Sequence, residues 1–347
     1  MSVLTFKSDE FKTFPLILRD YASYTAVIKG NSEKTVCEYL LDLRTFFRFM
    51  IMRKRGDSPS PEEFEKISIQ NIGINEIKEV TPQNIIDYLM FAGFERANST
   101  TTRMRKLSSL KSFYSYAYAK RHLVDSNPTS DIDAPKKNKT LPKYLIIEEA
   151  ISLLEAVKSD LDSKTVIRDY AIITLFLNTG MRLSELVMLN LESFDFELVT
   201  VKVIGKGNKE RIIYLNDAAR AAVQDYIRVR LDPRFIRTSS NAFFLSGRQN
   251  RISAKTVQWM VNKYLDRAGL GSRGLSVHKL RHTAATLMYQ TGKVDIRVLK
   301  DILGHEQLNT TQIYTHVVDR NMEMAMDQNP LAEIKIKRKT KQTDFDD

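Results

Sequence analysis

The sequence predicts a mainly α-helical protein with a small β-hairpin, split into an all-helical N-terminal domain and a mixed, mostly helical C-terminal domain. Three observations predict it. Apolar residues recur at three- and four-residue spacing through much of the chain, as on helices with one buried face. The stretch LVTVKVIGKGNKERIIYL at 198–215 instead alternates around a glycine-containing turn, as a hairpin does. Between them DSNPTSDIDAPKKNKTLPKYL carries prolines 128, 135 and 142 among lysines, which reads as an extended basic connector. The expected boundaries are a helical domain at 1–126, a linker at 127–143, a second domain at 144–330 and a charged, disordered tail at 331–347.

The bulk properties narrow the function class. A chain of 347 residues is long enough for two domains with sizeable cores, and 43% hydrophobic with 27% charged residues is ordinary for a globular protein. A net charge of +11 and a pI near 9.4 favour polyanionic partners. No apolar run is long enough to span a bilayer, no basic amphipathic helix has a strong apolar face, and MSVLTFKSDEFKTF lacks the pattern of a signal peptide. The single cysteine, Cys37, fits a reducing compartment. The expectation is a cytoplasmic nucleic-acid binder without membrane contact.

In chain order, residues from about Phe11 to Met52 read as helical, with Val36, Tyr39, Leu40, Leu43, Phe46, Phe47 and Met50 forming a core face. Gly56, Pro59 and Pro61 mark a loop, and weak patterning over 53–78 suggests an irregular insertion. Thr81-Pro82 opens a helix through Phe91, with Thr81 as cap and proline at the first position. The helix in NSTTTRMRKLSSLKSFYSYAYAK places Met104, Leu107, Leu110, Phe113, Tyr114 and Ala117 on one side. Arg103, Arg105, Lys106, Ser109 and Lys111 occupy the rest. That face is either merely solvated or a phosphate-binding surface of cations and small hydroxyls. Lys136, Lys137 and Lys139 of the linker are candidates for lying along DNA on the same grounds.

The second domain opens with Ile147-Glu148-Glu149 before a helix through Val157. RDYAIITLFLN at 168–178 is apolar on most sides and reads as a buried helix stopped at Gly180. Arg182 follows this stop, ahead of a helix for which Ser184 is the expected cap; such an arginine serves as cap or ion-pair partner more often than in chemistry. In the hairpin, Val199, Val201 and Val203 alternate, as do Ile212 and Tyr214, around a turn that carries Lys206. Gly205 and Gly207 do not form a P-loop. Helices are expected at 217–230 and 255–268, with Trp259 in the core.

The chemistry concentrates between Leu275 and His316. Four of the five histidines lie there (His278, His282, His305, His316), with Arg281 and Tyr314. Cationic donors beside a phenol suit chemistry on a phosphate-like group. His278, Arg281 and His282 share a helix face. Two histidines four apart invite a zinc reading, but the carboxylate of HExxH is missing and a guanidinium sits between them, so no metal is expected.

GMRLSEL, VIGKGNKERIIYL, HKLRHTAATL and LGHEQLNTTQIYTH, in this order and spacing, resemble the tyrosine recombinase (phage integrase) family, and most of all its Xer branch. The resemblance covers nearly the whole chain; 53–78 departs from the compact Xer pattern. It implies a SAM-like core-binding domain followed by a tyrosine recombinase catalytic domain. It further implies Tyr314 as nucleophile, giving a 3′-phosphotyrosine and a free 5′-hydroxyl, then a Holliday junction. Arg182 and Arg281 would clamp the non-bridging oxygens with His305. Lys206 would protonate the leaving 5′-oxygen, His278 would accept the tyrosine proton, and Glu185 would support the site. A helix at 319–328 would pack either on its own domain or on a neighbouring subunit.

Elementary chemistry agrees with these roles. The pentacoordinate transition state gains charge that preorganised donors stabilise, a lost donor costing roughly 3–4 kcal/mol. A tyrosine of ordinary pKa about 10 needs a base or cationic surroundings to attack at neutral pH. The phosphotyrosine conserves the bond energy, so neither cofactor, metal nor ATP is expected. The implied partners are double-stranded DNA with a specific inverted-repeat site and a homotetramer on synapsed DNA, with or without a second recombinase or accessory protein. The implied setting is the prokaryotic cytoplasm at the nucleoid. Dimer resolution and mobile-element integration or excision both fit. The competing readings are a type IB topoisomerase and a non-catalytic DNA-binding or architectural protein.

Overall fold

The computed structural model describes residues 4–136, 143–205, 208–233, 240–292 and 294–304. Lys137, Lys139, Lys206, His305, Tyr314, the helix expected at 319–328 and the tail at 331–347 lie outside the described residues. The chain divides into two compact units, Met1–Lys139 and Thr140–Asp347.

The first unit is helical: α1 (Asp9–Lys12), α2 (Leu16–Val27), α3 (Glu33–Arg55), α4 (Pro61–Lys66), α5 (Ile74–Lys78), α6 (Pro82–Phe94) and α7 (Thr100–Ala119). The helical stretch expected from about Phe11 to Met52 is divided among these first three helices. Pro15 caps α2 and supplies no N–H to extend α1, and the break before α3 uses Gly30 at φ +65° and Ser32, whose Oγ accepts from the Thr35 N–H. The stretch 53–78 is not irregular either. Ser60 and Glu63 form a capping box that starts α4, and Phe64, Ile69, Ile72 and Ile77 are buried in the unit's core. Helices of one or two turns are too short to show a period, so the sequence pattern missed them. The expected stripe of α3 does face the core: Val36, Leu40, Leu43, Phe46 and Phe47 are buried, with Tyr39 and Met50 partly so. Rings from α2, α3, α6 and α7 pack edge to face there, Phe46 on Tyr88 at 5.2 Å and Tyr21 on Phe113 at 5.4 Å. The connector begins as a packed turn: Asn127 accepts from the Thr129 N–H, and Ile132 is buried against this core.

The second unit contains α8 (Ile147–Lys158), α9 (Val166–Thr179), α10 (Leu183–Met188), β1 (Thr200–Ile204), β2 (Glu210–Tyr214), α11 (Asp217–Leu231), α12 (Ala254–Arg267), α13 (Val277–Gln290) and α14 (Ile296–Leu303). α9 is buried nearly all round, as its composition requires, and packs against α8, α11 and α13. β1 and β2 pair antiparallel, with Val201 opposite Ile213 and Val203 opposite Arg211. Val201, Val203 and Ile213 face the core, whereas Ile212 and Tyr214 are 62% and 77% exposed. The second strand therefore runs one residue out of phase with the expected alternation. Trp259 is also not in the core: Val257, Met260, Val261, Tyr264 and Leu265 take the inward side of α12 and leave Trp259 opposite them, 67% exposed. Among the described residues, no helix is long and apolar enough to cross a membrane.

Candidate functional site

The site assembles where α9 ends. Gly180 caps that helix in the left-handed region at φ +62°, and a Cβ there would stand 2.9 Å from Leu303 Cδ2. The chain turns, and Arg182 becomes the cap residue of α10. The expected cap, Ser184, lies inside the helix. Glu185 does the capping instead: its Oε2 accepts from the Arg182 backbone N–H at 2.7 Å while its Oε1 accepts from Arg182 Nη1 at 2.8 Å. An acid in the first turn suits the helix dipole.

A second arginine meets the same carboxylate. Arg211 on β2 donates from Nη1 to Glu185 Oε1 at 2.7 Å and from Nη2 to Oε2 at 2.8 Å, a two-pronged pair. The Glu185 side chain is 1% exposed and all its acceptor positions are engaged. Burial pushes its carboxyl up, but the bonds and charge of Arg211 with the Arg182 N–H and guanidinium outweigh this, and the pKa falls from 4.5 to about 2.

Three arginines then converge on the end of α14. Arg211 Nε donates to the Ile302 carbonyl at 3.1 Å, Arg281 Nη2 to Leu303 at 2.7 Å and Arg182 Nη2 to Gly304 at 2.8 Å. These carbonyls lack partners inside the helix and carry the negative end of its dipole, so guanidinium donors satisfy them in kind. Arg281, buried on α13, also donates to the Gly180 carbonyl at 2.7 Å, which joins α9, α13 and α14.

Arg182 and Arg281 border a cavity of about 430 Å³ lined also by Ser184, Gln258, Asn262 and His278 among others. His278 stacks edge to face on His282, with ring centroids 4.6 Å apart. Burial first, then the positive charge of Arg281, Lys279 and Arg182, depresses the His278 pKa. Neutral imidazole is thereby favoured beside fixed cations. This combination can hold an oxyanion and accept a proton next to it. Among the described residues, no three His, Cys, Asp or Glu side chains gather as metal ligands would.

Residues 143–321 match the model of the phage integrase family. The chain is 45% identical to a protein named tyrosine recombinase XerC of Caldanaerobacter subterraneus subsp. tengcongensis over 320 residues, 92% of this chain and 88% of that one. The chain belongs to the phage integrase family. Within the family it is a site-specific tyrosine recombinase of the Xer type. A XerC of Thermodesulfovibrio yellowstonii is 35% identical over 86% of this chain and 91% of its own length. Its fold is the family's as well. A XerH site-specific recombinase, solved as a post-cleavage complex with a palindromic difH substrate, superimposes with a TM-score of 0.66 at 21% identity, covering 90% of this chain and 95% of that one.

Of the residues the sequence singled out, the structure brings Arg182, Glu185, His278 and Arg281 together. Lys206, His305 and Tyr314 lie outside the described residues, but the chain beside two of them is fixed at the site. A Cβ on Gly205 would lie 3.5 Å from Glu185 Oε1, and the Gly304 carbonyl is held by Arg182. On α7 two expectations are corrected. Lys106 is 7% exposed with Nζ 3.4 Å from Asp42 Oδ1, and fully buried Ser109 donates to Asp42 Oδ2, so neither faces a phosphate. A buried aspartate requires such partners. Arg105 also binds Asp42, at 2.6 Å, but remains partly exposed, as do Arg103 and Lys111, and Lys136 is exposed. Gln258 and Asn262 on α12 were missed as cavity residues. Arg211, which lies behind the cavity on Glu185, was also missed, and it had a signal: in ERIIYL it shares the alternation of Ile213 and Leu215, so an arginine stands on an inward-facing row.

Proposed function

We propose that this chain cuts and rejoins double-stranded DNA at a specific inverted-repeat site through a 3′-phosphotyrosine at Tyr314. The observation that carries the reading is the convergence of Arg182, Arg281 and His278 on one cavity, where burial and the neighbouring cations lower the His278 pKa. Tyr314 Oη attacks the phosphorus and forms the new P–O bond while the bond to the 5′-oxygen breaks. His278 takes the tyrosine proton, Lys206 protonates the leaving 5′-oxygen, and Arg182 and Arg281 with His305 hold the non-bridging oxygens. Glu185 orients Arg182. A 5′-hydroxyl from the partner duplex then reverses the step, and two rounds pass through a Holliday junction.

The N-terminal unit acts as the core-binding domain, using Arg103, Arg105, Lys111 and the linker lysines Lys136, Lys137 and Lys139 on the backbone. Four protomers act on two synapsed sites, in the cytoplasm at the nucleoid. The palindromic substrate of XerH supports the inverted repeat. The test is covalent trapping on nicked DNA carrying a candidate site, in EDTA, with wild type and Tyr314→Phe. A protein–DNA adduct from wild type alone is expected. Tight binding without adduct across a randomised site library would refute strand cleavage.

A further inference from the structure

Building on this cleavage reading, we propose that Arg211 is a positioning residue that keeps Arg182 turned to the phosphate by occupying the carboxylate that would otherwise capture it. Glu185 is buried, ionised and three residues from Arg182, close enough for a two-pronged ion pair. Arginine and carboxylate favour that fork-to-fork geometry. Besides its backbone N–H, Arg182 nevertheless gives Glu185 only one guanidinium donor, Nη1, and its Nη2 goes to the Gly304 carbonyl. The reason is on the opposite side of the carboxylate. Arg211 places Nη1 and Nη2 on both oxygens, at 2.7 and 2.8 Å, and leaves Arg182 the remaining position on Oε1.

Arg211 is itself anchored. Its Nε donates to the Ile302 carbonyl, and its backbone pairs with Val203 in the hairpin whose turn includes Lys206. The guanidinium packs so closely on Gly304 that a Cβ there would stand 3.0 Å from Nη1. One side chain therefore fixes the hairpin, the carboxylate under Arg182 and the end of α14 relative to each other. It does not line the cavity and has no place on the reacting phosphate. Without it, Glu185 would have two acceptor positions open in a dry site, where an unmet charge is costly, and Arg182 is the donor at hand.

The experiment measures single-turnover adduct formation at saturating nicked DNA, with active fraction read from the burst, for wild type, Arg211→Lys, Arg211→Met, Glu185→Gln and Glu185→Gln/Arg211→Met. Both Arg211 variants should slow the step by roughly 10- to 100-fold, the range found when an outer partner orienting a ligand residue is removed. The Kd for DNA should stay within about twofold. The double variant should be no slower than the slower single, because both act through one carboxylate. Multiplied losses, or a wild-type rate for Arg211→Lys, which keeps the charge but not the fork, would overturn the proposal. A crystal structure of Arg211→Lys decides the matter apart from catalysis. Arg182 is expected to swing onto both oxygens of Glu185, and an unmoved Arg182 would refute the inference even if wild type cleaves nothing.

Discussion

Replacing Glu185 by glutamine removes one charge and almost no volume, so it isolates what ionisation contributes to the fold. The folded carboxyl titrates at about 2 against an ordinary 4.5. At about 1.4 kcal/mol per unit this is about 3 kcal/mol of stability. The sign follows from the direction. A depressed pKa contributes fully above 4.5, and the contribution is lost as pH falls from 4.5 toward 2. Glutamine has one oxygen to accept with, and its amide would set N–H against the N–H of an arginine. Glu185→Gln should therefore unfold about 3 kcal/mol more easily at pH 7, in line with the cost of breaking a buried ion pair from one side. The gap should narrow steadily below pH 4.5. The only tryptophan, Trp259, sits on α12 of the same unit, so the anisotropy of its emission during urea unfolding follows the relevant transition. The same difference at pH 3 as at pH 7 would mean that Glu185 is not a buried carboxylate held by two arginines.

Further expectations concern neighbouring groups. The acid limb of the cleavage rate should fall below pH 6.5, because burial and the nearby cations depress His278, and Lys279→Ala should move it upward; a limb above 6.5 would contradict the assignment of His278 as proton acceptor. Gly180→Ala should lower the melting temperature of its unit through both left-handed strain of about 1–2 kcal/mol and the contact with Leu303, whereas Gly30→Ala, at φ +65° with open space around it, should show the strain alone. Equal losses would show that Leu303 gives way freely. Lys106→Met should leave the salt dependence of DNA binding unchanged while Lys111→Ala flattens its log–log slope by about 1, and a flattened slope for Lys106→Met would mean that its ammonium leaves Asp42 for DNA.

How much of this was legible in the sequence depended on the range of the interaction. Long helices announced themselves, since α3, α7 and α9 each carry several turns of one apolar pattern. The motif residues Arg182, His278 and Arg281 were legible because chemistry fixes their types. Short helices were not, since α4 and α5 hold one core residue each, Phe64 and Ile77. Nor was the side of β2 that faces inward. Ile212 and Tyr214 look like core by type, yet the row of Ile213 and Leu215 is the buried one, and that phase is set by pairing with Val201. The same error hid Arg211, which an outward reading leaves as a solvated charge. Lys106 and Ser109 failed for the converse reason. A basic helix face looks solvated until the buried Asp42, more than sixty residues away in sequence, is placed beneath it.

The arginine cluster also explains how so much positive charge is tolerated around a buried carboxylate. Among the described residues, three guanidiniums meet the one carboxylate of Glu185, an excess of two positive charges. Isolated, such an arrangement would repel itself and depress folding. Here each arginine is tied to one of the successive carbonyls of residues 302, 303 and 304, the negative end of the α14 dipole, so a partial charge offsets part of each cation. A carboxylate in that place would have bound the arginines as tightly as a phosphate does and competed with it. Backbone carbonyls cannot, because their charge is fractional and their positions are set by the helix. The excess is thus preserved for a group that gains negative charge as it reacts, and the donors need not reorganise when it does. Burial first, and then the charge of Arg281, Lys279 and Arg182, lowers the His278 pKa, so two of the arginines held at the end of α14 also favour its neutral form, as the proposed role of proton acceptor requires.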